Sequence, residues 1–275
     1  MYQSVPVCMY HHVNDNPDKY LTVSVKNFRA QMELLQKEGF TTLSSSEFMA
    51  YKKGVGRFPK KSVLLTFDDA WLDVFVNAFP ILKQYGIKFT VFVVSEWTGR
   101  ASKSTFDQTT DLFPPHHEAE ELAQTSDAHS VVCAWDHLRH MVDSGLCSVE
   151  NHTATHGHLK DIKADIRKGK EDIESALDVT TSQLAWPRGK YDTEKLRAAR
   201  ELGIEVAYTT RRGTNLPFVG AMRVKRFTVD DYGADWFRRY LKIFSSPIYG
   251  FLYARLKPDR RKEKFKRWAR KPAHS

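Results

Sequence analysis

One unit recurs four times along this 275-residue chain: a helix-like stretch, a glycine, then a short apolar strand. It runs as Phe28–Glu38, Gly39, Phe40–Leu43, and again as Trp71–Tyr85, Gly86, Ile87–Val94. It returns as Trp135–Ser144, Gly145, Leu146–Glu150, and as Thr193–Leu202, Gly203, Ile204–Tyr208. Glycine after a helix takes the left-handed conformation that turns the chain into the next element. The strands are short and rich in Val, Ile, Phe and Thr, as strands buried on both faces are. Pro6–Tyr10, Ser62–Phe67 and Gln183–Trp186 read as further strands. Strands alternating with helices imply an α/β fold with a parallel sheet, open or closed into a barrel. In either form sites lie at the C-terminal ends of the strands. Polar residues just after a strand therefore carry the most information.

Two segments break the repeat. Arg100–Ser130 holds Pro114-Pro115, His116-His117 and several acids, with little apolar periodicity. It reads as an insertion, a mobile polar loop rather than a second metal site formed by His116, His117 and His129. The other break is the C-terminal part. Phe237, Tyr240, Leu241 and Phe244 fall at helical spacing and predict a last core helix. Ile248, Tyr249, Phe251, Leu252 and Tyr253 follow Pro247 and lead into a basic run.

That run holds most of the net charge. The whole chain has 42 Lys and Arg against 33 Asp and Glu, a formal +9. Residues 255–271 contain ten Lys or Arg and two acids, or +8. The body is therefore nearly neutral, and nucleic acid is not the expected partner. Aromatic and basic residues interleaved suit an interfacial membrane segment, with Arg260, Arg261, Lys262, Lys264, Lys266 and Arg267 facing anionic lipid. The competing arrangement is a packed C-terminal stretch with a solvated tail. The start of the chain shows no basic residue and no long apolar run, so the expected location is cytoplasmic, peripheral on the inner face of the membrane. Cys8, Cys133 and Cys147 are odd in number and fit no zinc knuckle, which predicts reduced thiols.

The strand ends concentrate chemistry. Ser62–Phe67 runs into Asp68-Asp69, two carboxylates that repel unless a cation or donors offset them. Cys147–Asn151 runs into His152-Thr-Ala-Thr-His156, whose His residues share a face if the chain turns helical there. One Asp and two His would form a facial metal set with positions open for water and substrate. The spare Asp is a candidate general base. Trp97 and Trp135 could stack on a ring of a bound ligand or pack a core.

Thr66-Phe67-Asp68-Asp69 and His152–His156 resemble the first two motifs of the polysaccharide deacetylases, the NodB-like carbohydrate esterase family 4. Pro6–Val13, Thr22–Phe28 and Ala185-Trp-Pro-Arg-Gly-Lys-Tyr191 resemble the branch that deacetylates bacterial surface sugars. The resemblance spans about residues 5–230 and skips the insertion. It implies a distorted (β/α)7-type barrel over residues 1–235, interrupted at about 100–130, and then a C-terminal helix and basic tail over 236–275. It implies a divalent metal, zinc in much of the family, on Asp69, His152 and His156, with Asp68 as the base. His11 would protonate the leaving amine, with His12 pointing away. The Arg188 backbone N–H would hold the oxyanion, and Pro187 and Tyr191 would line the substrate. Many members carry an arginine that orients the base where this chain has Ala185. Asp231–Trp236 echoes a family motif for the acetyl pocket but is read here as a coincidence, with Asp230 or Asp231 capping the last helix.

The function expected is N-deacetylation of an acetylated amino sugar in a bacterial surface glycan, either polyprenyl-phosphate-linked or a lipopolysaccharide precursor. The alternatives are a deacetylase of soluble polysaccharide such as chitin or peptidoglycan, and a non-catalytic membrane or nucleic-acid binder with a degenerate deacetylase fold.

Overall fold

A computed structural model of the chain describes residues 3–56, 58–103 and 113–257. The strands are β1 (Val7–Tyr10), β2 (His12–Val13), β3 (Thr22–Val23), β4 (Thr41–Thr42), β5 (Ser62–Asp68), β6 (Phe89–Val93), β7 (Cys147–Asn151), β8 (Gln183–Ala185), β9 (Val206–Tyr208) and β10 (Phe227–Thr228). The helices are α1 (Val25–Lys37), α2 (Ser45–Lys53), α3 (Phe79–Gln84), α4 (Ser95–Ala101), α5 (His116–Leu122), α6 (Trp135–Asp143), α7 (Ile162–Leu177), α8 (Thr193–Glu201), α9 (Ala234–Ser245) and α10 (Pro247–Leu256).

All strand pairs are parallel, in the order β10-β1-β5-β6-β7-β8-β9, with β4 beside β5 and a separate β2–β3 pair. The sheet curls until its two ends meet. Val224 bridges to Tyr208 of β9, and three residues later the same segment becomes β10 beside β1. The result is the parallel sheet that the repeat predicts, curled into the distorted barrel that the family resemblance implies. Gly39, Gly86, Gly145 and Gly203 all have φ between 61° and 78°, the left-handed turn between helix and strand. The helix predicted over Trp71–Tyr85 forms with a π-helical turn at Val74–Ala78 that leads into α3.

The central strands are closed to water: every residue of β5 and β6 is buried. The predicted core helix is α9, with Phe237, Leu241 and Phe244 buried. Its neighbour Asp231 does not cap it. Asp231 Oδ1 instead accepts from Ser24 N–H (2.9 Å), Ser24 Oγ (2.7 Å) and Asn27 Nδ2 (2.7 Å), and so fixes the start of α1. Trp236 stacks on Tyr240 within α9 (4.1 Å), and both pack half-buried against the core. The three cysteines are buried and free. Among the described residues no helix is long and apolar enough to cross a membrane. The predicted lipid-facing residues Arg260, Arg261, Lys262, Lys264, Lys266 and Arg267 lie outside the described residues.

Candidate active site and metal centre

Backbone strain marks the site. Of the eight non-glycine residues with positive φ among the described residues, five lie in the loops after β5, β7 and β8: Asp69, Ala70, Thr153, His156 and Arg188. Such conformations cost about 1–3 kcal/mol each and persist where the surroundings fix them. They turn side chains back over the barrel mouth. The predicted helical turn between His152 and His156 does not form. The two His converge through a loop with Thr153 at φ 65° and His156 at φ 57°. The loop is tied down by Thr153 N–H to Asn151 Oδ1 (2.7 Å) and by Thr155 N–H to Asp165 Oδ1 (2.9 Å).

Asp69, His152 and His156 present three ligand atoms to one point, within 4.8 Å of one another. Asp69 Oδ1 is 3.4 Å from His152 Nε2 and 3.5 Å from His156 Nε2. Atoms bound to zinc at about 2.0–2.1 Å in tetrahedral geometry would be roughly 3.3 Å apart. Asp69 Oδ2 accepts from Trp71 Nε1 (3.1 Å), whereas Oδ1 is buried without a hydrogen-bond partner. His152 Nδ1 is 2.7 Å from the Ala185 carbonyl, which can only accept. Nδ1 therefore carries the proton and Nε2 offers its lone pair, the arrangement typical of a ligating histidine. The donor set fits a divalent cation.

Asp68 stands beside this set, at the end of β5. Burial opposes its charge, but Arg226 above all, then His152 and His11, outweigh it and hold its pKa below the ordinary carboxylate value. Arg226 is fully buried and reaches Asp68 with both Nη atoms (2.6 and 2.8 Å) and Thr66 Oγ1 with one (3.1 Å). Its Nε donates to the Thr209 carbonyl (3.0 Å). It comes from the seam that closes the barrel, and it orients the carboxylate that no residue at Ala185 can. His11 Nε2 lies 3.9 Å from Asp68 Oδ2 and 4.0 Å from Asp69 Oδ2, so His11 faces the site. Burial, the dominant influence, holds its pKa below the usual histidine value.

His12 does turn away, into a buried network. Its Nδ1 meets Asp73 Oδ2 at 2.9 Å, its ring stacks on Trp71 at 4.6 Å, and its Nε2 is 3.1 Å from His116 Nδ1. His116 belongs to the insertion, and this overturns the expectation of a mobile polar loop. Residues 104–112 lie outside the described ones, but the turn at Ser126–Ser130 packs beside α4, and α5 packs on that turn. His116 is half-buried against His11, His12, Tyr20 and Trp71, and desolvation there pushes its pKa down to about 3. His129 instead contacts the Ser126 carbonyl (3.2 Å), and the three insertion histidines form no metal group among the described residues. Apolar packing anchors the insertion through Phe113, Ala119 and Ala123, all buried.

Glu120, also on α5, was not singled out from the sequence. Its Oε1 lies 3.4 Å from His156 Nδ1 and accepts from Arg188 Nη2 at 2.7 Å. His156 above all, then Arg188, hold its pKa down at about 2 against the effect of burial. The Arg188 side chain thus pairs with an acid. Its backbone sits in the tight turn after β8, and Pro187 packs against the His156–Gly157 turn, so that a Cβ on Gly157 would lie 3.4 Å from Pro187 Cβ.

The predicted sugar platforms lie elsewhere. Trp97 is buried between Trp71 (5.6 Å) and His156 (5.1 Å) and backs the site from behind. Trp135 lines an outer cleft of about 640 Å³ with Arg100, Lys168 and Asp172. Tyr191 stacks on Trp186 (6.0 Å), beneath the Arg223 guanidinium.

Fold and site together define the NodB-homology class of parallel barrels. The sequence profile of polysaccharide deacetylase matches residues 55–207, and the chain belongs to that family. It is 27% identical over 214 residues to YxkH of Bacillus subtilis, a match that covers 76% of this chain and 65% of that protein, just under two thirds. It is 26% identical over 214 residues to the poly-beta-1,6-N-acetyl-D-glucosamine N-deacetylase of Staphylococcus epidermidis, covering 78% of this chain and 70% of that one. The same fold occurs in the Streptococcus pyogenes deacetylase PplD in complex with acetate (TM-score 0.71, 23% identity, 90% of this chain and 100% of that chain). It occurs too in IcaB from Ammonifex degensii (TM-score 0.67, 24% identity, 87% and 96%).

Proposed function

We propose that the protein is an N-deacetylase that hydrolyses the acetamido group of an N-acetylated amino sugar in a bacterial surface polysaccharide. The observation that carries this is Asp68, held ionised by Arg226 beside the converging Asp69, His152 and His156. The named activity of the Staphylococcus epidermidis relative supports the substrate class.

Asp69, His152 and His156 would hold a divalent cation, zinc by resemblance, whose chemistry is to polarise a carbonyl and lower the pKa of water. Asp68 takes the proton of the attacking water, because its pKa keeps it a carboxylate at neutral pH. Water adds to the acetamide carbon, and the carbonyl oxygen becomes an oxyanion. The Arg188 N–H, in the turn packed on His156, is the protein donor assigned to that oxygen. The C–N bond then breaks as the proton taken up by Asp68 is passed to the amine nitrogen by way of His11, whose Nε2 lies 3.9 Å from Asp68 Oδ2. Acetate and a free amino sugar leave.

The finer reading is a glycan carried on polyprenyl phosphate, or a lipopolysaccharide precursor, met at the cytoplasmic face of the membrane. Its support is the basic run of the sequence. A degenerate binding fold is disfavoured, because a buried Asp68–Arg226 pair and an orphaned Asp69 Oδ1 bring no advantage to a fold without chemistry. The test is acetate release from a panel of lipid-linked and soluble N-acetylhexosamine glycans, with Asp68→Asn and His156→Ala alongside. Asp68→Asn should keep metal and lose turnover, and His156→Ala should lose metal. Normal turnover in Asp68→Asn would remove the base assignment, and no acetate from any glycan would remove the activity.

A further inference from the structure

We propose that α10 and the basic run that follows it dock this protein in the plane of an anionic lipid surface. The observation is a short helix with one firmly held face and one unpartnered apolar face. Ser246 Oγ accepts the Tyr249 N–H and starts α10, with Pro247 in its first turn. Its inner face is pressed onto the barrel domain. A Cβ on Gly250 would lie 2.4 Å from Thr214 Cγ2 and 3.0 Å from the Ile243 carbonyl. The Tyr253 hydroxyl meets that of Tyr240 at 2.9 Å. Arg212 lies 5.4 Å from the centre of the Tyr253 ring and donates to the Lys257 carbonyl (2.9 Å). The helix is therefore fixed in orientation, not a frayed end.

The outer face carries Ile248, Tyr249, Phe251, Leu252 and Leu256, which are 44–72% exposed. They are half of the ten large apolar side chains exposed among the described residues, so the exposure is local to this helix. At about 100° per residue these five and Arg255 fall within an arc of roughly 160°. Ten residues of helix rise about 15 Å, half of a bilayer's hydrocarbon thickness, so the helix can lie in the interface but not span it. Arg255 sits within the arc, where a long stem can lie on apolar ground with its charge in the headgroups. The sequence adds the remaining charge: residues 255–271 sum to +8. That charge selects the occupant. A second copy of the chain would carry the same +8 and be repelled, whereas anionic headgroups are attracted.

The inference does not depend on the deacetylase reading, since lipid binding needs no turnover. The test is co-sedimentation of the full chain with vesicles of phosphatidylcholine alone, and of phosphatidylcholine with phosphatidylglycerol, at low and high salt. The expected result is binding to the anionic vesicles about tenfold or more tighter than to the neutral ones, and lost at high salt. A combined Ile248→Ser, Phe251→Ser and Leu252→Ser variant should lose that binding with unchanged circular dichroism and acetate release, and so should Lys262→Glu with Lys264→Glu and Lys266→Glu. Equal binding by the apolar variant, or equal binding to both vesicles, would overturn the proposal. So would light scattering that shows the wild type paired and the apolar variant monomeric with neither bound to vesicles, which would make the face a contact between copies.

Discussion

Arg226 grips both oxygens of Asp68, at 2.6 and 2.8 Å, from 158 residues away in the chain. Both groups are buried, and each makes the other tolerable: a lone buried charge of either sign would cost several kcal/mol. The pair joins two parts of the barrel that meet only when the sheet closes, because Arg226 lies between the Tyr208–Val224 bridge and β10. Closure of the fold and readiness of the base are thus one event.

The first prediction follows from the sign of that coupling. As the proposed base Asp68 would work as the carboxylate, and Arg226 lowers its pKa, so the acid limb of kcat/KM should lie below the ordinary carboxylate range. In Arg226→Met burial acts unopposed by the guanidinium, and the limb should move to higher pH. Turnover at neutral pH should fall about 100-fold or more, and stability by about 3–5 kcal/mol. Arg226→Lys keeps the charge without the fork and should fall between the two. A pH–rate profile with an unmoved limb would separate Asp68 from the base.

Glu120 brings the insertion up to His156, one of the proposed metal ligands, through His156 Nδ1. A carboxylate behind a ligating histidine fixes its tautomer and strengthens it as a donor. Glu120→Gln should weaken metal affinity by about 10–100-fold, measured by competition with a chelator, while the melting temperature of the metal-free protein stays close to that of the wild type.

Gly169 lies within α7, where alanine would normally add up to about 1 kcal/mol of helix propensity. Here a Cβ would sit 2.5 Å from Asn151 Oδ1, 2.8 Å from the Thr153 carbonyl carbon and 3.0 Å from Ala154 N. Those atoms belong to the loop that carries His152 and His156. Gly169→Ala should therefore destabilise, by about 1–3 kcal/mol of overpacking, and weaken metal binding with it. A thermal melt at or above the wild-type value would show that the loop yields.

Asp231 gives a stability prediction with a defined pH window. Burial raises its pKa, but hydrogen bonds from the Ser24 hydroxyl and N–H and from Asn27 outweigh that and hold it below its ordinary 3.8. A depressed carboxylate contributes stability that is present above its unfolded pKa and is lost as pH falls through the folded one. Asp231→Asn should cost about 1–3 kcal/mol at pH 7, and the gap from wild type should shrink below about pH 4. A gap that is constant with pH would mean that the charge plays no part.

Much of this was legible in the chain. The four glycines at helix ends and the runs of Val, Ile, Phe and Thr announce an α/β fold with a parallel sheet, because both depend on local backbone preference and on period. Asp68, Asp69, His152 and His156 were legible too, since each falls just after an apolar strand. The same local logic failed where a side chain answers to a distant partner. Arg226 reads as one more basic residue in Val224-Lys-Arg-Phe227, and Glu120 as one of several acids in a polar insertion. Asp231 next to a helix start suggests a cap for that helix, yet it serves α1. Trp97 could stack on sugar or fill a core, and only packing decides: it is buried behind His156.

The sequence by itself determined the order of elements, the sheet type and the residues that can hold a metal, because those follow from spacing along one strand and the loop after it. The tertiary structure alone decided which arginine sets the base, that the insertion reaches the metal ligands, and that α10 keeps an apolar face outward. Those facts depend on distances between segments far apart in the chain, and such distances exist only once the barrel has closed.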